Sequence, residues 1–164
     1  MFRSACIILI AIPLAVTGAA SAQANTNACG LLSRAAIAKA TGLQVAKGKP
    51  GPPISGSLSN CAWQGSNGTK IIVTLADAPH MQVTMQSQLQ SGATQLPGIG
   101  TSAVGTAGND ETEGGYNISI LDPKGGVAIS ILGNAGTGER TTALAKQIEL
   151  HRTFQRPLPE FSNP

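Results

Sequence analysis

The 164-residue chain holds three cysteines, Cys6, Cys29 and Cys61, and how they divide constrains the fold more than any other feature. Cys6 opens an apolar run that ends at Val16 and is interrupted only by Pro13, with Arg3 just before it. Small residues follow from Thr17 to Ala22, and two A-x-A sites overlap there, Ala20-Ser21-Ala22 and Ala22-Gln23-Ala24. A positive charge, an apolar run and a small-residue site, in that order, make a secretion signal. The run is short for a membrane anchor, which needs about 20 apolar residues. A lipoprotein needs a cysteine directly after the run, and neither Cys6 nor Cys29 stands there. Residues 1–24 are therefore read as a cleaved signal peptide, the chain's only expected contact with a membrane.

Removing that segment removes Cys6 and leaves two thiols in an oxidising compartment, where the simplest outcome is a Cys29–Cys61 disulfide. Such a bridge closes a loop of about thirty residues, which chain entropy values at about 3–4 kcal/mol. The loop contains Lys49-Pro50-Gly51-Pro52-Pro53 and Gly56-Ser57-Leu58-Ser59, which have little means of ordering themselves. A redox or metal role for the pair is disfavoured, because no Cys-x-x-Cys and no nearby histidine accompanies it. The expected localisation is periplasmic or secreted.

About 140 residues remain, the usual size of one domain. Residues 25–154 are read as that domain and 155–164 as an irregular, proline-rich tail. Net charge is +3, and the Lys and Arg are scattered singly. Nucleic-acid binding calls for a basic patch with stacking aromatics, and neither is visible.

Ser33 reads as the N-cap of a helix over 34–41, with Gly42 as its stop and Leu32, Ala36, Ile37 and Ala40 as its buried stripe. Residues 43–47 read as a short strand and 48–60 as an exposed loop. Strands follow at 61–64 and 70–76, joined through Asn67-Gly68, which accepts the positive φ of a tight hairpin. Cys61 and Trp63 then share one sheet face, the buried one. Pro79 opens a helix over 80–90, with Met81, Met85 and Leu89 four apart on one face. Strands are expected near 101–105, at 116–121 and at 127–132, and a last helix at 139–154. In the later strands Asn117 and Ser119 alternate with Ile118 and Ile120, so one sheet face should be polar or lightly covered. The fold class is α+β: a mostly antiparallel sheet of about five to six strands flanked by two to three helices.

Some residues carry a family pattern: Cys29-x-Leu31-Leu32, Ile37 and Gly42, Cys61-x-Trp63, Leu96-x-Gly98-x-Gly100-x-x-Ala103, and Leu144-Ala145. In these the chain resembles secreted bacterial domains of unknown function, common as lipoproteins in actinobacteria, and the extracellular sensor domains of some mycobacterial Ser/Thr kinases. The resemblance implies the same disulfide and a PsbP/Mog1-like fold. It implies no established activity and no catalytic residues. The missing lipobox is a departure that favours an untethered form.

Several segments imitate functional motifs. Residues 133–141 follow a strand and open a helix with the outer-glycine spacing of a phosphate loop, but Glu139 stands where lysine is needed. Residues 109–114 begin like a calcium loop, yet the twelfth position is Ile120 rather than glutamate. His80 and His151 are the only histidines, and no nucleophile–base spacing surrounds them. No catalytic residue, metal ligand or cofactor is expected. The expected function is a non-enzymatic module that binds an envelope protein. The alternative is a small-ligand binder using Met81, Met85 and Leu89. The disulfide has a direct check: quantitative thiol labelling of denatured, unreduced mature protein is expected to find no reactive thiol, and two labelled cysteines would refute the pairing.

Overall fold

In a computed structural model of the chain, residues 27–52, 54, 57–66, 68–108, 114–123 and 125–154 are described. The expected signal peptide and the tail lie outside them.

The N-terminal part follows its local chemistry. Ala28–Gly30 forms a 3-10 turn capped by the Asn27 side chain. Helix α1, Arg34–Thr41, begins where the Ser33 hydroxyl accepts the Ala36 amide at 3.1 Å. It ends at Gly42, whose φ of 73° is the left-handed cap that glycine adopts without a Cβ penalty. Ile37 and Leu32 are buried, with Ala36 and Ala40 packed against the same core.

Seven strands make one antiparallel sheet. They are β1 Lys49–Pro50, β2 Ser57–Gln64, β3 Lys70–Ala76, β4 Thr94–Gln95, β5 Ser102–Ala107, β6 Gly115–Asp122 and β7 Gly125–Leu132. Their order is β1-β2-β3-β7-β6-β5-β4. Two meanders thus meet along β3 and β7, where Ile71 faces Ile131, Val73 faces Ile129 and Leu75 faces Val127. Helix α2, Ala78–Gln90, joins the meanders, and helix α3, Gly138–Phe154, follows β7. The α+β class is as expected from the sequence, with one strand more than anticipated.

Three local readings are corrected. Residues 43–47 form no strand, only the bridge Val45–Gly65 and a bond from the Ala46 amide to the Gln64 carbonyl. The segment read as a loop to residue 60 contains β1 and the first half of β2. Residues Ser57, Ser59 and Asn60 pair with Ala76, Leu75 and Thr74, because β3 offers a row of backbone partners that outweighs the weak strand preference of Ser and Asn. The two-residue β4 gave no periodic signal. Both edge strands are short, and prolines at 50, 52 and 97 limit further pairing there.

The two sheet faces bury different cores. On the first face, Trp63, Ile71, Val73, Ile118, Ile120, Val127, Ile129 and Ile131 pack beneath α1, α3 and the N-terminal turn. The Cys29–Cys61 bridge enters this core, with Cys61 fully buried. Gly48 lies against it so closely that a Cβ there would stand 2.6 Å from the Trp63 ring and 2.9 Å from the Cys61 sulfur. On the second face, Met81 and Met85 of α2 pack with Ala76 and Val104, flanked by Ala93, Leu121 and Ala128. Here Gly126 removes the obstacle: a Cβ at that position would collide with the Met81 side chain. Overpacking of this kind costs about 1–3 kcal/mol. In urea unfolding, Gly126→Ala is therefore expected to lose about that much stability, and less in a Met81→Ala background, where the collision is gone. Equal losses in both backgrounds would refute the contact as the reason for the glycine.

Candidate functional site

Helix α2 packs mainly on β5, β6 and β7 and meets β3 at its end, through Ala76. Strand alternation and register show what it leaves uncovered. Val104, Ser119 and Ala128 are cross-strand neighbours beneath α2. Two residues further along the strands runs another row: Lys49, Ala62, Ile72, Ser130, Asn117 and Thr106, one from each of six strands. Register-paired residues project to the same side. Lys49 is exposed and the other five are half-buried, which describes a sheet floor open to solvent. Beyond it, Gln64 pairs with Lys70 and Lys70 with Leu132; both Gln64 and Lys70 are exposed. Lys47, two residues before Lys49, is exposed as well. The two rows hold lysines and no carboxylate. Among the described residues, no helix covers this half of the face. This is the polar, lightly covered face anticipated from the alternation of β6 and β7, but only half of it stays open.

The residues singled out from sequence are placed as follows. Met81 and Met85 are buried under α2, whereas Leu89 is 39% exposed. Cys29 and Cys61 are bonded to each other. His80 lies at the start of α2 and His151 near the end of α3, so the two stand on helices at opposite sheet faces. His80 belongs to the cap of α2. The Asp77 carboxylate accepts the His80 amide at 2.8 Å and contacts His80 Nδ1 at 2.7 Å, both in solvent. No group of three or more His, Cys, Asp or Glu able to hold a metal occurs among the described residues. Most of the calcium-like segment, residues 109–113, lies outside them.

The phosphate-like loop is filled by the protein itself. Gly136 presses so close to β7 that a Cβ would strike the Ile131 carbonyl oxygen, and Gly138 lies against the Tyr116 ring. The Arg140 guanidinium donates to the Ala135 carbonyl at 3.2 Å, and Thr137 caps α3 by accepting the Arg140 amide at 3.3 Å. These glycines serve close approach of the loop to the sheet end. At the other end of α3, Arg152 pairs with Asp122 at 2.8 Å, both largely buried, and ties the helix to the end of β6.

Comparison with known proteins finds no matching family, no curated relative and no matching solved structure. The site therefore stands on its own geometry.

The Asp77 cap yields a pH prediction. The amide and ring of His80 hold the Asp77 carboxyl below the ordinary carboxylate value of 3.8. A depressed carboxyl stabilises the fold above its unfolded value, and that stabilisation fades as pH falls through the lower, folded value. Asparagine also caps helices but carries no charge. Melting temperatures measured from pH 6 down to pH 2 are expected to fall less steeply below about pH 4 for Asp77→Asn than for the parent protein. Parallel curves would show that Asp77 charge plays no part in acid stability.

Proposed function

We propose that the chain is an exported, non-enzymatic interaction module that binds another protein of the envelope through the open half of its sheet. One observation carries this reading: a six-strand floor left uncovered by α2, while the opposite face is sealed by α1 and α3. A sheet face that no described element of the chain covers offers a broad surface with fixed side-chain positions. The short, proline-flanked edges make strand addition a poorer route, so the face rather than the edge is the better docking surface. Export is supported by the disulfide and by the signal-like order of residues 1–24. The residues that resemble the secreted actinobacterial domains, Leu31, Leu32, Ile37, Cys61 and Trp63, gather in the core beneath the sealed face. They belong to the scaffold, which leaves the opposite face free to differ in partner. The small-ligand alternative draws less support, because Met81 fills the space over Gly126.

The test is photocrosslinking in the native envelope from single reactive residues, placed at Ser130 or Thr106 on the open face and at Val83 on the outer side of α2. One dominant protein captured from the open face, and not from Val83, is the expected result. Capture of nothing above background from any position would refute the reading.

A further inference from the structure

Resting on that reading, we infer that the open face docks an acidic, extended segment of its partner, read by Lys49 and Lys70 on either side of Ala62. The register places these lysines on β1 and β3, flanking β2. They lie two strand spacings apart and two residues out of line, a separation on the order of 12 Å. Carboxylates four residues apart in an extended chain project to the same side and are separated by about 13 Å, at about 3.3 Å per residue. Lys47 adds a third exposed cation beside Lys49. The two rows carry no acid that would neutralise these charges from within. Two of the described carboxylates are engaged elsewhere: Asp77 caps α2, and Asp122 pairs with Arg152.

The floor between the charges decides the kind of acidic partner. Ala62 and Ile72 give a shallow apolar strip, while Gln64, Ser130, Asn117 and Thr106 offer side-chain donors and acceptors. A peptide laid on the sheet can satisfy its backbone groups on those side chains and its carboxylates on the lysines. A lipid surface would instead draw on large exposed apolar side chains. Those among the described residues, Ile54, Leu58, Val83, Leu89 and Leu150, belong to neither row. Charge attraction across such a surface raises the association rate and selects against basic partners.

The experiment is a backbone-amide NMR titration of the disulfide-bonded mature protein with two synthetic ten-residue probes. One carries Glu at every fourth position among Ser and Thr, which puts the carboxylates on one side of an extended chain; the other carries Lys in place of Glu. The acidic probe is expected to shift the amides of Ala62, Ile72, Ser130 and Asn117, and the basic probe to leave them in place. The Lys49→Glu/Lys70→Glu variant, and the milder Lys49→Gln/Lys70→Gln variant, should weaken the acidic probe about tenfold or more. Both should keep the parent melting temperature, since these lysines are exposed. Raising salt should weaken binding further. No binding of the acidic probe overturns the inference, as does binding that maps to the outer surfaces of α2 or α3, or that survives both variants. Binding that emerges only after Asp110, Glu111 and Glu113 are neutralised assigns the face to the chain's own acidic segment and also overturns it. So does a lysine-dependent association with phosphatidylglycerol vesicles without peptide binding. Envelope crosslinking with the charge-reversed variant separates the two levels. A partner still captured from the open face defeats the acidic-segment inference and leaves the interaction module standing. No partner captured by parent or variant defeats the module itself.

Discussion

Strands β3 and β7 are far apart in the chain, and every larger feature of the domain depends on their pairing. Seven consecutive partners, from Lys70–Leu132 to Ala76–Gly126, join two meanders that would otherwise be separate, half-exposed sheets. Their inward side chains, Ile71, Val73, Leu75, Val127, Ile129 and Ile131, form the middle of the main core. Without this seam, three strands would stand on one side and four on the other, each group with a further open edge. Because the pairing is non-local, its loop-closure cost precedes its reward. The disulfide works on the other side of the same problem. It anchors the N-terminal turn to β2 and shortens the loop holding β1. The first meander is thereby held by a covalent link to the N-terminal turn as well as by its own hydrogen bonds.

The asymmetry of the two faces follows from how much each helix can cover. Helices α1 and α3 contact each other and share one face, so that side is sealed. The other face receives one helix. α2 is anchored at its start by Asp77 and drawn close to the sheet at Gly126, where the absent side chain lets Met81 descend. That approach fixes the helix over β5, β6 and β7. On β2 and on β3 before Ala76 the second face keeps contact with water, and its side chains there are mostly short, polar or cationic, half-buried Ile72 being the exception. Ala62, Thr74, Gln64 and Lys70 are suited to such a surface; the isoleucines of the sealed face are not.

Glycine-rich segments that look like ligand loops have a similar explanation. Gly136 sits where the backbone of β7 comes too close for a side chain, and Gly138 lies snugly against the Tyr116 ring. Arg140, which would be the cation of a phosphate site, is spent on the Ala135 carbonyl. The same residue pattern can cradle a phosphate or pack a loop against a sheet end, and the neighbours decide between them. Here the neighbours are β6 and β7.

What could be read from the chain itself was set by local chemistry and by spacing. Ser33 and Gly42 bound α1 because their caps are satisfied within a few residues. The hairpin between β2 and β3 turns at Gly68, whose φ of 75° is the conformation the Asn-Gly signal calls for. Cys61 and Trp63 were placed on the buried face by the two-residue period of a strand alone. The disulfide followed from counting thiols. Tertiary structure decided the rest. Residues Ser57, Ser59 and Asn60 became strand because β3 lay beside them, and 43–47 did not because only Val45 found a partner. The methionine stripe of α2 was legible, but not that Leu89 would stay in solvent while Met81 and Met85 were buried. The candidate site was the least legible part. Lys49, Ala62, Lys70, Ser130 and Asn117 are unremarkable in sequence and become neighbours only through inter-strand register. Period and capping act within a few residues, where the sequence carries them directly; register is set between strands by a shared core, and no single segment contains it.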